Sequence, residues 1–505
     1  MPTAPTAPPT PPRVAIVTLG CGRNEVDSDQ LAGLFQREGI PVVSEAGDAD
    51  VVLVNTCTFI APAKQESIDT VLAACDLKDG RAKAVLVVGC MAERYPDELA
   101  AEIPEADAII GFDGYARLPG IVTDLLAGRP IDRVVKRPER PIHPLMPGGS
   151  GATRRAPLPL LVAPTQAPPE ADPAARGVPT QDDLDRVPET GPRFPVRAFD
   201  GSRSWAYLKI ASGCDRVCTF CAIPQFRGSF RSRPIDEIVA EARWLATQGA
   251  RELVLVSENT TSYGKDIGGR DQVLRLLERL HDLHDLVRIR LMYLQPDELQ
   301  RPLVQAIATM PKVASYFDLS LQHVSASVLH DMARSGSPER YTELIAHIRE
   351  QDPRAVLRSN FIVGFPGERN QDVDALEGFL VTNRMDWVGL FTFSPEDGTP
   401  SAHHDAQVAA DVAWDRLRRL QDVQERLADG SAAAFVGRDL EVIVDEVEPG
   451  TSCAARSYRE APETDGEVSL VTSDGQPVDL PVGRVVTARV VDSHGVDLVA
   501  VPQSS

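Results

Sequence analysis

Long apolar runs are missing from this chain. The longest obvious one, residues 84–92, has nine residues, about half of the roughly 18 that a membrane span needs. No membrane association is expected. The amino terminus, MPTAPTAPPTPP, has neither a basic stretch nor an apolar one, so a secretory signal is not expected and the chain is placed in a reducing cytoplasm. In that compartment its eight cysteines are read as thiols, metal ligands or small buried hydrophobes rather than a disulfide framework. Positive charge is also short. There are 52 Lys or Arg against 73 Asp or Glu, a formal net charge of −21. That deficit disfavours a partner held by broad phosphate neutralisation and suits a basic protein. No internal repeat of fixed period is present.

What is there begins with proline. Residues 1–12 hold six prolines and residues 138–195 hold fourteen, out of 41 in the chain. Neither stretch keeps a helical or strand period, so both read as extended, poorly ordered segments. The second, which also carries GGSG at 148–151, is too long for a packed loop and reads as a linker or insertion over 136–199. A length of 505 residues suits about three domains. Residues 13–135 alternate short β-branched runs (14–19, 51–56, 84–89, 108–111) with helical stretches such as 25–38 and 62–76, the pattern of a parallel sheet covered on both faces. Residues 200–432 repeat the alternation on a larger scale. Strands are expected at 206–210, 252–257, 287–292, 316–321, 355–363 and 387–393, with helices such as 235–248 and 370–382 between them. Six β/α units fit a barrel or an incomplete barrel. Residues 433–505 hold β-rich runs at 440–447, 467–472, 484–492 and 495–501 separated by turn residues, which suggests a small closed or partly open β-barrel.

Six cysteines form two groups. Cys214, Cys218 and Cys221 lie in SGCDRVCTFCAIPQFRG, on the loop leaving the first barrel strand, the end where such barrels place their active sites. Three thiolates spaced C-x3-C-x2-C can converge on one metal centre. An iron–sulfur cube normally takes four cysteines, and the next one, Cys453, belongs to another domain. A cube held by three leaves one iron open. A zinc site, which would need a nearby His, and an unrelated redox loop are the alternatives. Cys21, Cys57 and Cys90 are dispersed, in VTLGCGRN, VLVNTCTF and LVVGCMAE, yet each directly follows an apolar strand. A parallel sheet brings all three to one carboxyl edge, where open α/β sheets bind ligands. A second three-thiolate metal site is favoured over three packed cysteines. Cys75, read as mid-helix, and Cys453, in the β tail, are read as structural.

GCDRVCTFC resembles the cluster loop of the radical S-adenosylmethionine (SAM) enzymes. The resemblance implies a 4Fe-4S cube on Cys214, Cys218 and Cys221, with SAM on its open iron and a 5′-deoxyadenosyl radical formed from it. With Cys21, Cys57 and Cys90 added, the chain is similar to the methylthiotransferases, which carry a second 4Fe-4S cluster in an amino-terminal domain and end in a TRAM domain. LGCGRNEVDSD, CAIPQFRGSFRSRP, SENTTSYG, LMYLQP, LSLQHVSASVL, FIVGFPGE and FSPEDGT resemble the branch that methylthiolates an aspartate of ribosomal small-subunit protein twelve. That branch often has Pro-Lys where this chain has Gly22-Arg23. The resemblance implies cofactor contacts for Phe220 in the cluster loop, for Ser257, Glu258 and Asn259 after the second strand, for Gln322 after the fourth, and for Gly364 and Glu368 after the fifth. It implies sulfur transfer to the aspartate β-carbon, with flavodoxin or ferredoxin as electron donor. His323 is left either lining the cavity or as a satisfied polar residue. Arg227, Arg231 and Arg233 are read as a solvated face without a catalytic role.

The tail separates two substrates. TRAM domains commonly bind RNA, and the sister enzymes modify an adenosine of transfer RNA, which is the alternative substrate. Residues 436–505 hold 13 Asp or Glu against 5 Arg and no Lys. RNA binding needs a positive surface, so a basic ribosomal protein is the expected partner and transfer RNA is not.

Overall fold

The computed structural model describes residues 11–136, 197–269 and 271–503. The proline-rich segments expected at 1–12 and 136–199 fall almost wholly outside these residues. Arg197 and Phe199, which the sequence assigned to the linker, are 5% and 9% exposed. Arg197 is held by Asp29 at 2.8 Å, Glu241 at 2.9 Å and the Tyr207 carbonyl, so the packed chain resumes before residue 200.

The amino-terminal domain is a six-stranded parallel sheet. Its strands are β1 (Val14–Thr18), β2 (Val42–Val43), β3 (Val51–Thr56), β4 (Ala84–Gly89), β5 (Ala108–Ile110) and β6 (Val134–Val135), in the order β2-β1-β3-β4-β5-β6. Three helices matter for the site: α1 (Gly22–Arg37), α2 (Ala61–Asp76) and α3 (Cys90–Arg94). Every residue of β3 and β4 is buried, because a parallel sheet is covered on both faces. Cys75 lies in the last turn of α2 rather than mid-helix.

The central domain is an open six-stranded β/α barrel. Strand β7 (Trp205–Lys209) precedes a small antiparallel pair, β8 (Ala211–Ser212) with β9 (Arg231–Ser232). Then follow β10 (Glu252–Val256), β11 (Arg288–Leu291), β12 (Tyr316–Gln322), β13 (Val356–Val363) and β14 (Trp387–Thr392). Two three-stranded parallel sheets, β11-β10-β7 and β12-β13-β14, meet through isolated bridges at Ile289–Val313 and Leu294–Leu319. Side chains alternate across each strand. Ala206, Leu208, Leu253, Leu255, Phe317 and Leu357 pack outward against the helices. Trp205, Tyr207, Val254, Tyr316, Val356 and Trp387 point into the barrel, where Val26 of α1 and Ala461 of the tail join them.

The tail is a closed barrel of β15 (Asp439–Glu448), β16 (Ser452–Arg456), β17 (Val468–Leu470), β18 (Val485–His494) and β19 (Asp497–Pro502). The sequence reading missed β16. Cys453 on that strand is buried in this barrel's core, as a structural cysteine should be. The connection after β16 reaches into the central domain. Arg456 pairs with Glu252 at 2.9 Å, the Arg459 carbonyl accepts from the Trp387 indole, and Tyr207 and Tyr316 donate to Glu463 and Asp465. Most of these anchors are the first residues of their strands, so the tail caps the amino-terminal mouth of the barrel. The carboxyl ends are left for the site. Among the described residues no helix is long and apolar enough to cross a membrane.

Candidate active site

Neighbouring strands deliver the first thiol triad. β3 lies between β1 and β4, and Thr56 is in register with Gly89. Cys57 and Cys90 therefore leave adjacent strands side by side. Cys21 precedes the first turn of α1 in extended backbone. Two glycines permit the approach. A Cβ on Gly20 would lie 2.8 Å from Cβ of Cys57, and one on Gly89 would lie 2.6 Å from the Thr56 carbonyl; both have positive φ, +97° and +91°, which glycine adopts without strain. Asn24 pins the loops together, donating to the Leu19 carbonyl at 2.8 Å and the Thr56 carbonyl at 3.1 Å.

The second triad occupies the loop after β7. Gly213, at φ +81°, leaves no room for a Cβ against the Gly228 carbonyl. The Cys214 amide donates to that same carbonyl and the Cys221 amide to the Cys218 carbonyl, which curls the loop. Arg334 donates to Cys218 Sγ at 3.7 Å. Burial pushes the Cys221 thiol up to about 12, with Cys218 and Cys214 adding to it. Burial likewise pushes Cys90 up to about 11, against the pull of Arg227. Burial also opposes ionisation of Cys21, but Arg23 and Arg227 overcome it and hold that thiol below its ordinary value. Cys21 and Cys57 add to the rise at Cys90, and Cys21 to that at Cys57, so these thiols feel one another's charge; among the described residues no three His, Cys, Asp or Glu side chains are already set as ligands of a single metal ion.

Between the triads lies a layer the sequence misjudged. Arg227 is not on a solvated face; it is 7% exposed. It donates to Cys90 Sγ at 3.1 Å and to Asn24 Oδ1 at 2.9 Å. Arg23 donates to the Ser257 carbonyl at 3.1 Å and lies over the Tyr293 ring. Both arginines face Glu258, at 3.6 and 3.7 Å. Neither carboxylate oxygen of Glu258 has a hydrogen-bond partner, which fits a residue awaiting a polar ligand. Lys209 pairs with Asp27 beneath them.

The other candidates divide. Ser257 is fully buried and bonded to Thr260. The Asn259 amide is taken up by Ser262 and Thr261 of its own turn and by Glu298 from the loop after β11. Asn259, Ser262 and Glu298 border a cleft of about 350 Å³ beside the cluster loop, lined also by Asp215, Arg216 and Lys265. Gln322 ends β12 with φ +70°. Phe220 meets Phe365 edge-on at 6.5 Å. Glu368 accepts from the Gly364 amide at 3.0 Å and pairs with Arg416 at 2.9 Å and His323 at 3.4 Å. The carboxylate of Glu368 is thus already partnered by protein, and His323, fully buried, accepts from the Ser325 amide at Nδ1 while its Nε2 has no hydrogen-bond partner. The residues missed outright include Asn24, Asp27, Tyr207, Lys209 and Tyr293. Only their neighbourhood, LGCGRNEVDSD, LMYLQP and the strand before the cluster loop, pointed toward the site.

A cysteine triad at the carboxyl end of an open β/α barrel, after a parallel-sheet domain with a second triad, defines a radical SAM enzyme of the multidomain kind. Residues 13–111 match the uncharacterized protein family UPF0004, residues 208–380 the radical SAM superfamily and residues 436–502 the TRAM domain. A radical SAM methyltransferase from Kitasatospora setae, solved with cobalamin and a 4Fe-4S cluster, shares the fold at TM-score 0.50 and 19% identity, over 78% of this chain and 77% of that one. Proteins named ribosomal protein uS12 methylthiotransferase RimO are much nearer in sequence. The one from Streptomyces avermitilis is 44% identical over 97% of this chain and 96% of its own length, and that from Kineococcus radiotolerans 46% identical over 97% of each. The chain belongs to this RimO methylthiotransferase family.

Proposed function

We propose that this chain methylthiolates the β-carbon of an aspartate in ribosomal protein uS12, using one 4Fe-4S cluster on each triad and SAM at the second. The observation that carries the reading is the pairing of two thiol triads, each with only three cysteines, across a buried charged layer. When bound, the clusters and SAM supply an organic radical and a transferable sulfur group. The chain's residues do the rest. Cys214, Cys218 and Cys221 would hold the cluster that binds SAM, and Cys21, Cys57 and Cys90 the other. Glu258 has free acceptor oxygens for an ammonium group, and Ser257 fixes the loop that presents it. Phe220, Gln322 and Gly364 remain candidates for the rest of the cofactor. Lys209, Asp27 and the arginines close the space between domains, keeping water from a reaction that must exclude other hydrogen donors.

Charge supports a protein substrate. Of the five tail arginines, Arg456 and Arg459 are buried in ion pairs with Glu252, Asp445 and Glu460. Only Arg438, Arg484 and Arg489 remain at the surface of an acidic barrel. Such a surface attracts a Lys/Arg-rich protein and repels RNA, so transfer RNA is disfavoured. A flavodoxin- or ferredoxin-class donor would reduce the clusters, and the ribosomal substrate places the reaction in the cytoplasm.

Anaerobic reconstitution tests the centre. Two cubes require about eight iron atoms per chain. Changing Cys214, Cys218 and Cys221 to Ala should abolish deoxyadenosine formation. The same change at Cys21, Cys57 and Cys90 should spare it and stop sulfur insertion. Thiolated uS12 from the latter variant, read by mass spectrometry, would defeat the assignment. Replacing the tail with a basic one should weaken uS12 capture at low salt; unchanged capture would defeat the charge argument.

A further inference from the structure

The layer between the triads is out of charge balance. Its cations are Arg23, Arg227 and Lys209, and its anions are Glu258 and Asp27. Lys209 and Arg227 share Asp27, while Arg23 and Arg227 share Glu258. Aromatic faces close two sides: Phe112 lies under Arg227 and Tyr293 under Arg23, each about 5.0 Å from the guanidinium. Buried charge without a partner is costly, so one positive charge in this layer lacks its counter-ion. The nearest anionic group it could serve is the first triad itself, which Arg227 touches at Cys90 Sγ.

We propose that Arg227 and Arg23 are positioning residues that make the amino-terminal cluster easier to reduce, by stabilising the additional negative charge of its reduced form. This rests on the reading that Cys21, Cys57 and Cys90 hold a 4Fe-4S cluster. Three thiolates already make such a centre anionic, and hydrogen bonds to its sulfurs, net charge and burial set its potential. A guanidinium in direct contact with a ligand sulfur acts with little solvent screening. Arg227 does so from the helix Ile223–Arg227, which directly follows the other cluster loop. One side chain thereby ties the position of the barrel cysteines to the electrostatics of the amino-terminal centre.

The test uses the full chain with Cys214, Cys218 and Cys221 changed to Ala, so that one cluster remains, reduced stepwise and followed by electron paramagnetic resonance. Arg227→Gln should disfavour reduction at least tenfold, which is about 59 mV more negative for one electron. Arg227→Lys, which keeps the charge, should stay within about threefold of the parent. Arg23→Gln should shift in the same direction, since Arg23 lies beside Cys21 as Arg227 lies beside Cys90. An unchanged potential in Arg227→Gln with full iron would overturn the inference while leaving the cluster reading intact. Equal shifts in the Gln and Lys variants would also overturn it, because shape rather than charge would then matter. Loss of iron from Gln but not Lys supports the charge role, whereas loss from both overturns it. If the parent with native arginines binds no iron, the cluster reading falls and takes this inference with it.

Discussion

Glu252 is the sharpest test of how the central barrel and the tail are held together. It opens strand β10, fully buried, and pairs with Arg290 at 2.7 Å, Arg456 at 2.9 Å and Arg288 at 3.4 Å. Those arginines in turn donate to the carbonyls of Glu441, Arg456, Ser457, Tyr458 and Glu460. One carboxylate therefore contacts all three arginines of the junction between the central barrel and the tail, with Asp445 as a second anion on Arg456. Burial alone would raise its pKa, but Arg290, Arg456 and Arg288 overcome that and hold it at about 2, against an ordinary 4.5. Because the folded value is depressed, the stabilisation is complete above pH 4.5 and is lost as pH falls toward 2. At 1.36 kcal/mol per pH unit, that gap corresponds to about 3 kcal/mol. An independent route gives a similar size: deleting one partner of a buried ion pair costs roughly 3–5 kcal/mol. Hydrogen exchange at strands 252–256 and 452–456 reports the opening of this junction without assuming two-state unfolding of a multidomain chain. Glu252→Gln should speed exchange there by about a hundredfold at pH 7, the equivalent of roughly 3 kcal/mol. It should also remove most of the extra opening that the native chain shows between pH 4.5 and 2. A variant that exchanges within threefold of the native chain at pH 7 would refute the reasoning, as would a native junction that stays equally closed down to pH 2.

Three further outcomes follow from particular contacts. Gly89→Ala sets a Cβ against the Thr56 carbonyl at a residue with φ +91°, so iron should fall from about eight to about four atoms per chain, with deoxyadenosine formation retained. Tyr207→Phe removes the hydroxyl that donates to Glu463 at 3.0 Å; exchange at residues 456–465 should rise by about 1.5–3 kcal/mol of opening energy, with iron unchanged. Cys453→Ser buries a hydroxyl in the core of the tail barrel, where Cys453 is 3% exposed. It should cost about 1–3 kcal/mol of local stability, read as faster exchange in β15 to β19, and leave the iron count at the native value.

The placing of the six cysteines at strand ends was legible in the sequence for different reasons. C-x3-C-x2-C is a local pattern, visible wherever it occurs. Cys21, Cys57 and Cys90 are dispersed, but each follows a strand, and parallel pairing leaves strand ends no choice but to share an edge. Strands β3 and β4 fell where their apolar runs predict, at 51–56 and 84–89. Strand β16 did not, because SCAAR has little β propensity of its own. It is a strand because Val447 and Val444 of β15 pair with Cys453 and Ala455. In the same way the sequence allowed either a barrel or an incomplete one. Only the isolated bridges at Ile289–Val313 and Leu294–Leu319 show two half-sheets meeting in an open barrel.

Arg227 shows where local reading stops. In QFRGSFRSRP it sits beside Arg231 and Arg233, which are only partly buried, and nothing nearby in sequence distinguishes it. Its partners are Cys90, 137 positions away, and Asn24, 203 positions away. A charge run read by composition is an average over its members, whereas burial acts on one side chain at a time. The same holds for Tyr207. As a residue of β7 it looks like ordinary barrel packing. Yet a Cβ on Gly22, next to Cys21, would strike its ring at 2.6 Å, and its hydroxyl reaches Glu463 of the tail. Gly22 is also where this chain departs from the Pro-Lys often seen in the resembling branch. The departure is therefore a packing matter. A bulkier residue at position 22 needs Tyr207 to move, and Tyr207 cannot move without disturbing the tail. The glycine and the tyrosine have to be read as one unit joining all three domains at the barrel interior.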